Sequence, residues 1–302
     1  MRHLTSFRLI DAVARAGSIR KAAERMNLTP SALNRRVRAF EDELGVVIFE
    51  RLPRGVRLNT AGEIVIQHAR AQMADMDRVR SQIADLAGMR RGHVAIACSQ
   101  ALTTAFLPEQ IAAYRAAFPA VSFDVEVRDR LAAEEALLDF SADVALVFEP
   151  TASPEFQTLM TVRQQLHAVM ASDHPLAATP VLRLRDCFRW PLALPGRMFG
   201  GRKMLEEAVA RSSLEMRPAL QSNSFAYLME HVLAEPAITF QIPIGVPAGD
   251  AGTRLASRPI DERDVPAGLL LMGQRRGRTL PVAAARFCDQ LAQAFAGRFD
   301  CV

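Results

Sequence analysis

Thr29, Ser31, Asn34, Arg35, Arg38 and Arg54 stand close together in a chain of 302 residues. Their chemistry is recognition rather than bond-breaking. An asparagine amide offers a donor and an acceptor side by side, which suits the edge of adenine. An arginine fork suits guanine, and a serine hydroxyl serves either bases or phosphates. The parts of a catalytic centre do not assemble elsewhere. The six histidines, His3, His68, His93, His167, His174 and His231, show neither H-E-x-x-H nor another metal-ligand spacing. No serine sits in a G-x-S-x-G elbow, and the four cysteines, Cys98, Cys187, Cys288 and Cys301, form no C-x-x-C pair. The stretch "GRMFGGRKM" from Gly196 imitates a phosphate loop, but Lys203 falls one place late and Met204 replaces the Ser or Thr that holds magnesium. Neither a metal nor a cofactor is expected, and no enzymatic activity.

The elements that must carry the recognition residues are marked by their ends. Phe7, Ile10, Val13 and Ala14 recur at helical spacing until Gly17. Ser18 caps a second helix whose inner side is Ala22, Ala23 and Met26, with Asn27 and Leu28 as the turn. Thr29 offers its hydroxyl to the free amides of a third helix, and Pro30 takes the first helical position, where a missing N–H costs nothing. Along that helix Leu33, Val37, Phe40 and Leu44 form a buried seam, leaving Ser31, Asn34, Arg35 and Arg38 on other faces. Such a helix suits a major groove. The run Val46–Phe49, then Leu52-Pro53-Arg54-Gly55, then Val56-Arg57-Leu58 reads as a two-stranded wing whose basic tip can reach a minor groove or a phosphate.

Charge is distributed to match. The whole chain carries a net +4, yet residues 1–60 hold 12 Lys and Arg against 6 acids, so the remainder is slightly acidic. A basic head on a near-neutral body is the layout of a protein whose one end meets a polyanion. No stretch of about 18 residues lacks charge, and Met1–Ser6 contains no apolar block. A cytoplasmic protein without a membrane partner is expected.

Thr60, Ala61, Gly62 and Glu63 read as a capping box opening a long helix. Ile66, Met73, Met76, Val79, Ile83 and Leu86 recur along it at threes, fours and sevens, a stripe for which a second copy of the chain is the simplest partner. Gly88–Gly92 reads as a hinge. Beyond it strands and helices alternate: Val94–Cys98, Leu107–Phe118, Val121–Val127, Leu131–Leu138 and Val144–Phe148 give a βαβαβ order and a parallel sheet. A second unit starts near Val162, and the tail from about Leu269 returns to the first, ending in a helix from Pro281. The arginine-rich "GQRRGRTLP" at Gly273–Pro281 is either a solvated loop or a second polyanion patch.

Residues 3–62 resemble the winged helix-turn-helix of the LysR-type transcriptional regulators, through "FRLIDAVARAGSIRKAAERMNLTPSALNRRV", "EDELGVVIFER" and "VRLNTAGE". The resemblance places the base-contacting face on Pro30, Ser31, Asn34 and Arg35 and the wing contact on Arg54, with Ser18, Thr29 and Arg38 beside them. The family most often has Ser where this chain has Asn34. "HPLA" at His174–Ala177 and the strand order extend the resemblance to a two-lobed α/β effector-binding domain, itself similar to periplasmic solute-binding folds. It implies a DNA-binding head (1–60), a linker and dimerisation helix with hinge (61–91) and an effector-binding domain (92–302). Lobe I then covers about 92–161 and 269–302, and lobe II about 162–268. It also implies a homodimer on an approximately palindromic operator, a homotetramer, and RNA polymerase as a further partner.

In open α/β sheets ligands sit beyond the carboxyl ends of strands. That rule selects Ser99, Gln100 and Thr103 after the first strand, Arg128 after the second and Phe148 after the third. In the other lobe it selects Arg197 and the pair Ser222 and Ser224. Free helix amides with Arg128 or Arg197 would suit a small carboxylate effector. Two rival readings remain open at this point: an α/β binding or catalytic protein whose basic head only tethers it, and an architectural DNA binder without a ligand.

Overall fold

The computed structural model describes residues 2–86, 91–148, 153–246 and 254–301, in two compact units, Met1–Ala87 and Gly88–Val302. The expected hinge falls largely on residues 87–90, outside the described ones. Among the described residues no helix is long and apolar enough to cross a membrane, and no group of three or more potential ligands could hold a metal.

The first unit opens with α1 (Arg2–Ala16), α2 (Ile19–Arg25) and α3 (Pro30–Leu44). Leu9, Ile10, Val13, Ala22, Ala23, Leu33, Val37 and Phe40 form its buried core. Ser18 Oγ accepts from the Lys21 amide at 3.4 Å, and Thr29 Oγ1 from the Ala32 amide at 3.3 Å, with Pro30 in the first turn. Gly45 closes α3 in the left-handed conformation at φ 71°. The wing is β1 (Phe49–Leu52) paired antiparallel with β2 (Gly55–Leu58). At Gly55, φ is +121° and an added Cβ would lie closer than 3.0 Å to the Gly17 carbonyl oxygen. The neighbouring Val56 amide donates to that same carbonyl at 2.9 Å, which seats the wing on the α1–α2 turn.

The wing is also tied to α3. Glu41 Oε1 accepts from the Ile48 amide at 2.8 Å and the Phe49 amide at 3.2 Å. Glu41→Ala strips both amides of their acceptor and should cost about 1–3 kcal/mol locally. Amide hydrogen exchange checks this: Ile48 and Phe49 should exchange roughly ten- to a hundredfold faster while Leu33 and Val37 hold. Unchanged protection at Ile48 and Phe49 would show that the carboxylate does not hold the wing.

The long helix α4 runs Thr60–Leu86. Its cap lies one residue earlier than the capping box implied. Asn59 Oδ1 accepts from the Gly62 amide at 2.8 Å, while Asn59 Nδ2 donates to the Val47 carbonyl at 2.8 Å. An amide bonds in both directions, so Asn59 caps the helix and holds the wing together. The apolar stripe divides: Ile66 is buried in the core of this unit, whereas Ile83 and Leu86 are 61% and 89% exposed.

The second unit is built on a five-stranded sheet. Its members are β3 (Gly92–Cys98), β4 (Val121–Val127), β5 (Val144–Phe148), β6 (Phe156–Gln164) and β12 (Gly268–Arg275), in the order β4-β3-β5-β12-β6. β3 is parallel to both β4 and β5, as the βαβαβ order implied, and β12 returns antiparallel between β5 and β6. The helices α5 (Phe106–Ala117), α6 (Arg130–Leu138) and α10 (Val282–Arg298) cover this sheet. The other lobe holds β7 (His167–Ala171), α7 (Leu184–Cys187), β8 (Leu192–Pro195), α8 (Gly200–Ala210), β9 (Pro218–Ser222), α9 (Phe225–Ala234), β10 (Thr239–Gln241) and β11 (Leu255–Pro259). β10 and β11 flank β7 antiparallel, and β8 runs parallel to β9.

The arginines of "GQRRGRTLP" form neither a solvated loop nor a polyanion patch. Arg278 pairs with the buried Asp143 at 2.5 Å and donates to the Ala142 carbonyl at 2.9 Å, and Arg276 donates to the Pro154 carbonyl at 2.6 Å. Arg275 and Arg278 lie over the Phe140 ring at 4.5 and 5.2 Å. Forks with several donors are used here to tie up carbonyls at the ends of other elements.

His167 gives the lobe a pH dependence. Its Nδ1 lies 2.8 Å from Ser257 Oγ, and burial foremost, with Arg258 nearby, pulls its pKa from 6.5 down to about 4. The folded ring stays neutral where the unfolded chain takes up a proton. Stability is therefore complete above about pH 6.5 and falls as the pH drops toward about 4, by up to roughly 2–3 kcal/mol. Urea midpoints at pH 7 and pH 5, read by the fluorescence of the single tryptophan, Trp190, should differ less in His167→Asn than in the parent. Equal losses would assign the effect to other groups.

Candidate nucleic-acid interface and effector cleft

The exposed face of α3 carries the residues expected there. Thr29, Pro30, Ser31, Arg35 and Arg38 are exposed and Asn34 is half-buried. Thr29 Oγ1 and Ser31 Oγ lie 3.2 Å apart, joining the cap to the first exposed hydroxyl of the helix. Arg54 is exposed at the wing tip. Ser18 is half-buried, and its capping bond uses the oxygen, leaving the hydroxyl proton free to donate.

The electrostatics separate structural from available arginines. Arg15 and Arg70 share Asp11 at 2.8 and 2.6 Å, and Arg57 pairs with Glu50 at 2.8 Å. Among the described residues no carboxylate pairs with Arg35, Arg36, Arg38, Arg51 or Arg54. Glu41, which could have neutralised Arg38, is turned to the wing amides instead. Between α3 and the wing lies a recess of about 560 Å³, lined among others by Asn34, Arg38, Glu41, Val47 and Arg51. Arg51 escaped the sequence reading. The period-two alternation of a strand does place it on the same side as Phe49.

The residues selected in the second unit do not all line one site. Gln100 belongs to the 3₁₀ turn Gln100–Thr103, and its Oε1 accepts from the Phe225 amide at 2.9 Å, so this turn meets the start of α9 across the lobes. That contact brings Ser99, Gln100 and Thr103 toward Ser222 and Ser224. Thr103 Oγ1 donates to the Gln100 carbonyl at 2.8 Å, Ser222 Oγ accepts from the Ser224 amide at 3.1 Å, and Ser224 Oγ caps α9 at the Tyr227 amide at 3.3 Å. Both arginines stand beside a carboxylate. Arg128, just past the end of β4, is bound through Nε and Nη2 to Glu126 on that strand. Arg197 is 80% exposed beside Glu206 at 3.5 Å.

Phe148 is likewise not an open-cleft residue. It is 6% exposed, and a Cβ on either Gly200 or Gly268 would lie closer than 3.0 Å to its ring. The ring occupies a slot between two backbones that carry no side chain, one opening α8 and the other opening β12. The buried polar groups at this end were missed. Arg202, 3% exposed, donates to Glu206 at 2.8 Å and to the Pro195 carbonyl at 3.4 Å. Gln241 ends β10; its Oε1 accepts from the Ile242 amide at 2.9 Å, while its buried Nε2 and the buried Thr239 hydroxyl have no partner among the described residues. A polar residue in a buried strand was the only available signal.

A winged helix-turn-helix with unneutralised arginines on its third helix, joined through one long helix to a two-lobed α/β unit, defines a DNA-binding regulator with a ligand-sensing domain. Residues 4–63 match the bacterial regulatory helix-turn-helix protein, lysR family, and residues 87–296 match the LysR substrate binding domain. The chain belongs to the LysR family of transcriptional regulators, which are DNA-binding proteins and not enzymes. It is 25% identical over 223 residues to the HTH-type transcriptional activator CmpR of Synechocystis, covering 73% of this chain and 72% of that one. Its fold is similar to that of a full-length OxyR variant from Pseudomonas aeruginosa, with TM-score 0.71, 20% identity and coverage of 97% and 94% of the two chains. A full-length CbnR complexed with its target DNA has the same fold, with TM-score 0.62, 20% identity and coverage of 96% and 99%.

Proposed function

We propose that Pro30, Ser31, Asn34 and Arg35 on α3 read base edges in a major groove, while Ser18, Thr29, Arg38 and Arg54 hold phosphates. The observation that carries this is the set of arginines on α3 and the wing, Arg35, Arg36, Arg38, Arg51 and Arg54, that have no carboxylate partner among the described residues, beside neighbours that have one. Exposed Ile83 and Leu86 on α4 support pairing with a second copy, and hence two heads on an approximately palindromic site in the cytoplasm. The boundaries at 60 and 91, and the lobe division near 161 and 269, belong to the same reading.

The effector is a small carboxylate held between the lobes. Its anchors are the free donors of Gln241 and Thr239 and the amides at the start of α8, in place of Arg128 and Arg197. An effector that binds two lobe arrangements unequally shifts the population between them. It thereby changes how dimers pair into a tetramer and how the DNA is presented to RNA polymerase. The test is binding to DNA upstream of the protein's own gene against a scrambled duplex, across a salt series. A preference that survives higher salt, with protected segments spaced by whole DNA turns, is expected. Equal binding to both duplexes that collapses steeply with salt would leave phosphate attraction alone.

A further inference from the structure

The amide oxygen of Asn34 is already engaged. Arg51, on β1, donates from Nη2 to Asn34 Oδ1 at 3.3 Å. A guanidinium has donors only, so this bond fixes the amide's orientation: oxygen toward Arg51, Nδ2 away from it. Asparagine reads adenine by accepting from N6 and donating to N7. With a guanidinium beside the oxygen, the adenine amino group would approach a second donor. Guanine instead presents O6 and N7, two acceptors, to a surface of Nδ2 and guanidinium N–H groups.

We propose that Asn34 and Arg51 form one composite reader that selects guanine over adenine at a position of each half-site, with Arg51 determining specificity from outside the recognition helix. Three observations support the assignment. Arg51 is exposed and has no carboxylate partner among the described residues. It lines the same recess as Asn34 and Arg38. The strand it stands on is fixed to α3 through Glu41 and the amides of Ile48 and Phe49, so the two halves of the reader are held by hydrogen bonds to the backbone. The inference rests on the reading of α3 as the DNA-contacting helix.

The test is selection from a randomised duplex pool by the full chain and by Arg51→Lys, Arg51→Ala, Asn34→Ala and Arg35→Ala. The parent should enrich guanine about tenfold over adenine at the position that Asn34→Ala blurs. Arg51→Ala should move that position toward adenine, because the freed amide regains both ends. Arg51→Lys keeps the charge but loses the fork, so its affinity for scrambled DNA should stay within about twofold while its guanine preference falls. The proposal is overturned if Arg51→Lys leaves the position unchanged, if Arg51→Ala weakens all sequences equally, or if the parent selects adenine there. If the parent enriches no sequence and Arg35→Ala changes nothing, the reading of α3 fails, and this inference with it.

Discussion

Phe148→Ala should destabilise the second unit by about 3–5 kcal/mol, the usual cost of emptying a buried phenylalanine site, and Gly200→Ala should then partly repair it. The ring closes the slot between Gly200 and Gly268, with Met204 Sδ 3.1 Å from where a Cβ on Gly268 would stand. Gly200→Ala alone forces a methyl into an occupied ring and should cost about 1–3 kcal/mol as overpacking. In the double variant the same methyl enters vacated space. The two effects should therefore fall short of additivity by more than the roughly 1–3 kcal/mol that Gly200→Ala costs alone, a coupling expected only of residues that touch. Urea unfolding followed by Trp190 fluorescence measures all four corners of the cycle. Strict additivity would mean that ring and glycine do not share the space.

The position of Phe148 gives this result a functional edge. The residue ends β5 in one sheet, while Gly200 begins α8 in the other lobe. The ring thus forms part of the junction between lobes, alongside the Gln100 side chain on the Phe225 amide. Any rearrangement of the lobes must break or adapt these two interactions, so both add to its cost.

What was legible in the sequence was what local chemistry decides. The α3 cap is written in Thr29 and Pro30 and its buried seam of Leu33, Val37 and Phe40 in a helical period, all within one element. Leu44, read with that seam, is 44% exposed, because it stands in the last turn, beyond the core of the three helices. The helix α4 was legible too, but its cap was not, because Asn59 is chosen by its second bond, to Val47 across the wing. The cleft was harder for the same reason. Arg128 and Arg197 carried the charge that suits an anion, yet Glu126 and Glu206 stand beside them. Gln241 and Arg202 gave no pattern, since their setting is created by β8, β10 and α8, which are remote in sequence. Arg275, Arg276 and Arg278 looked like a surface run and became clamps on carbonyls of elements more than a hundred residues away.

Asn34→Ala combined with Arg35→Ala should reduce binding to the operator to the level of scrambled DNA, the largest effect expected anywhere in the chain. Each base interaction of this kind contributes roughly 1–3 kcal/mol of discrimination, and a dimer makes every one of them twice. Removing all four together matches the gap between specific and non-specific binding, which is about a thousandfold or more. Neither side chain is needed for the core, since the seam of α3 is Leu33, Val37 and Phe40, so the variant should melt like its parent. Arg54→Ala is the contrasting case. Taking the wing-tip cation away from a phosphate in each protomer should weaken operator and scrambled DNA by similar factors and lower the salt slope by about 2 per dimer. Titrations of both duplexes over a salt series separate the outcomes. If the α3 double variant binds both duplexes equally more weakly, its side chains hold phosphates and sequence is read elsewhere; if Arg54→Ala alone erases the preference, the wing is the reader.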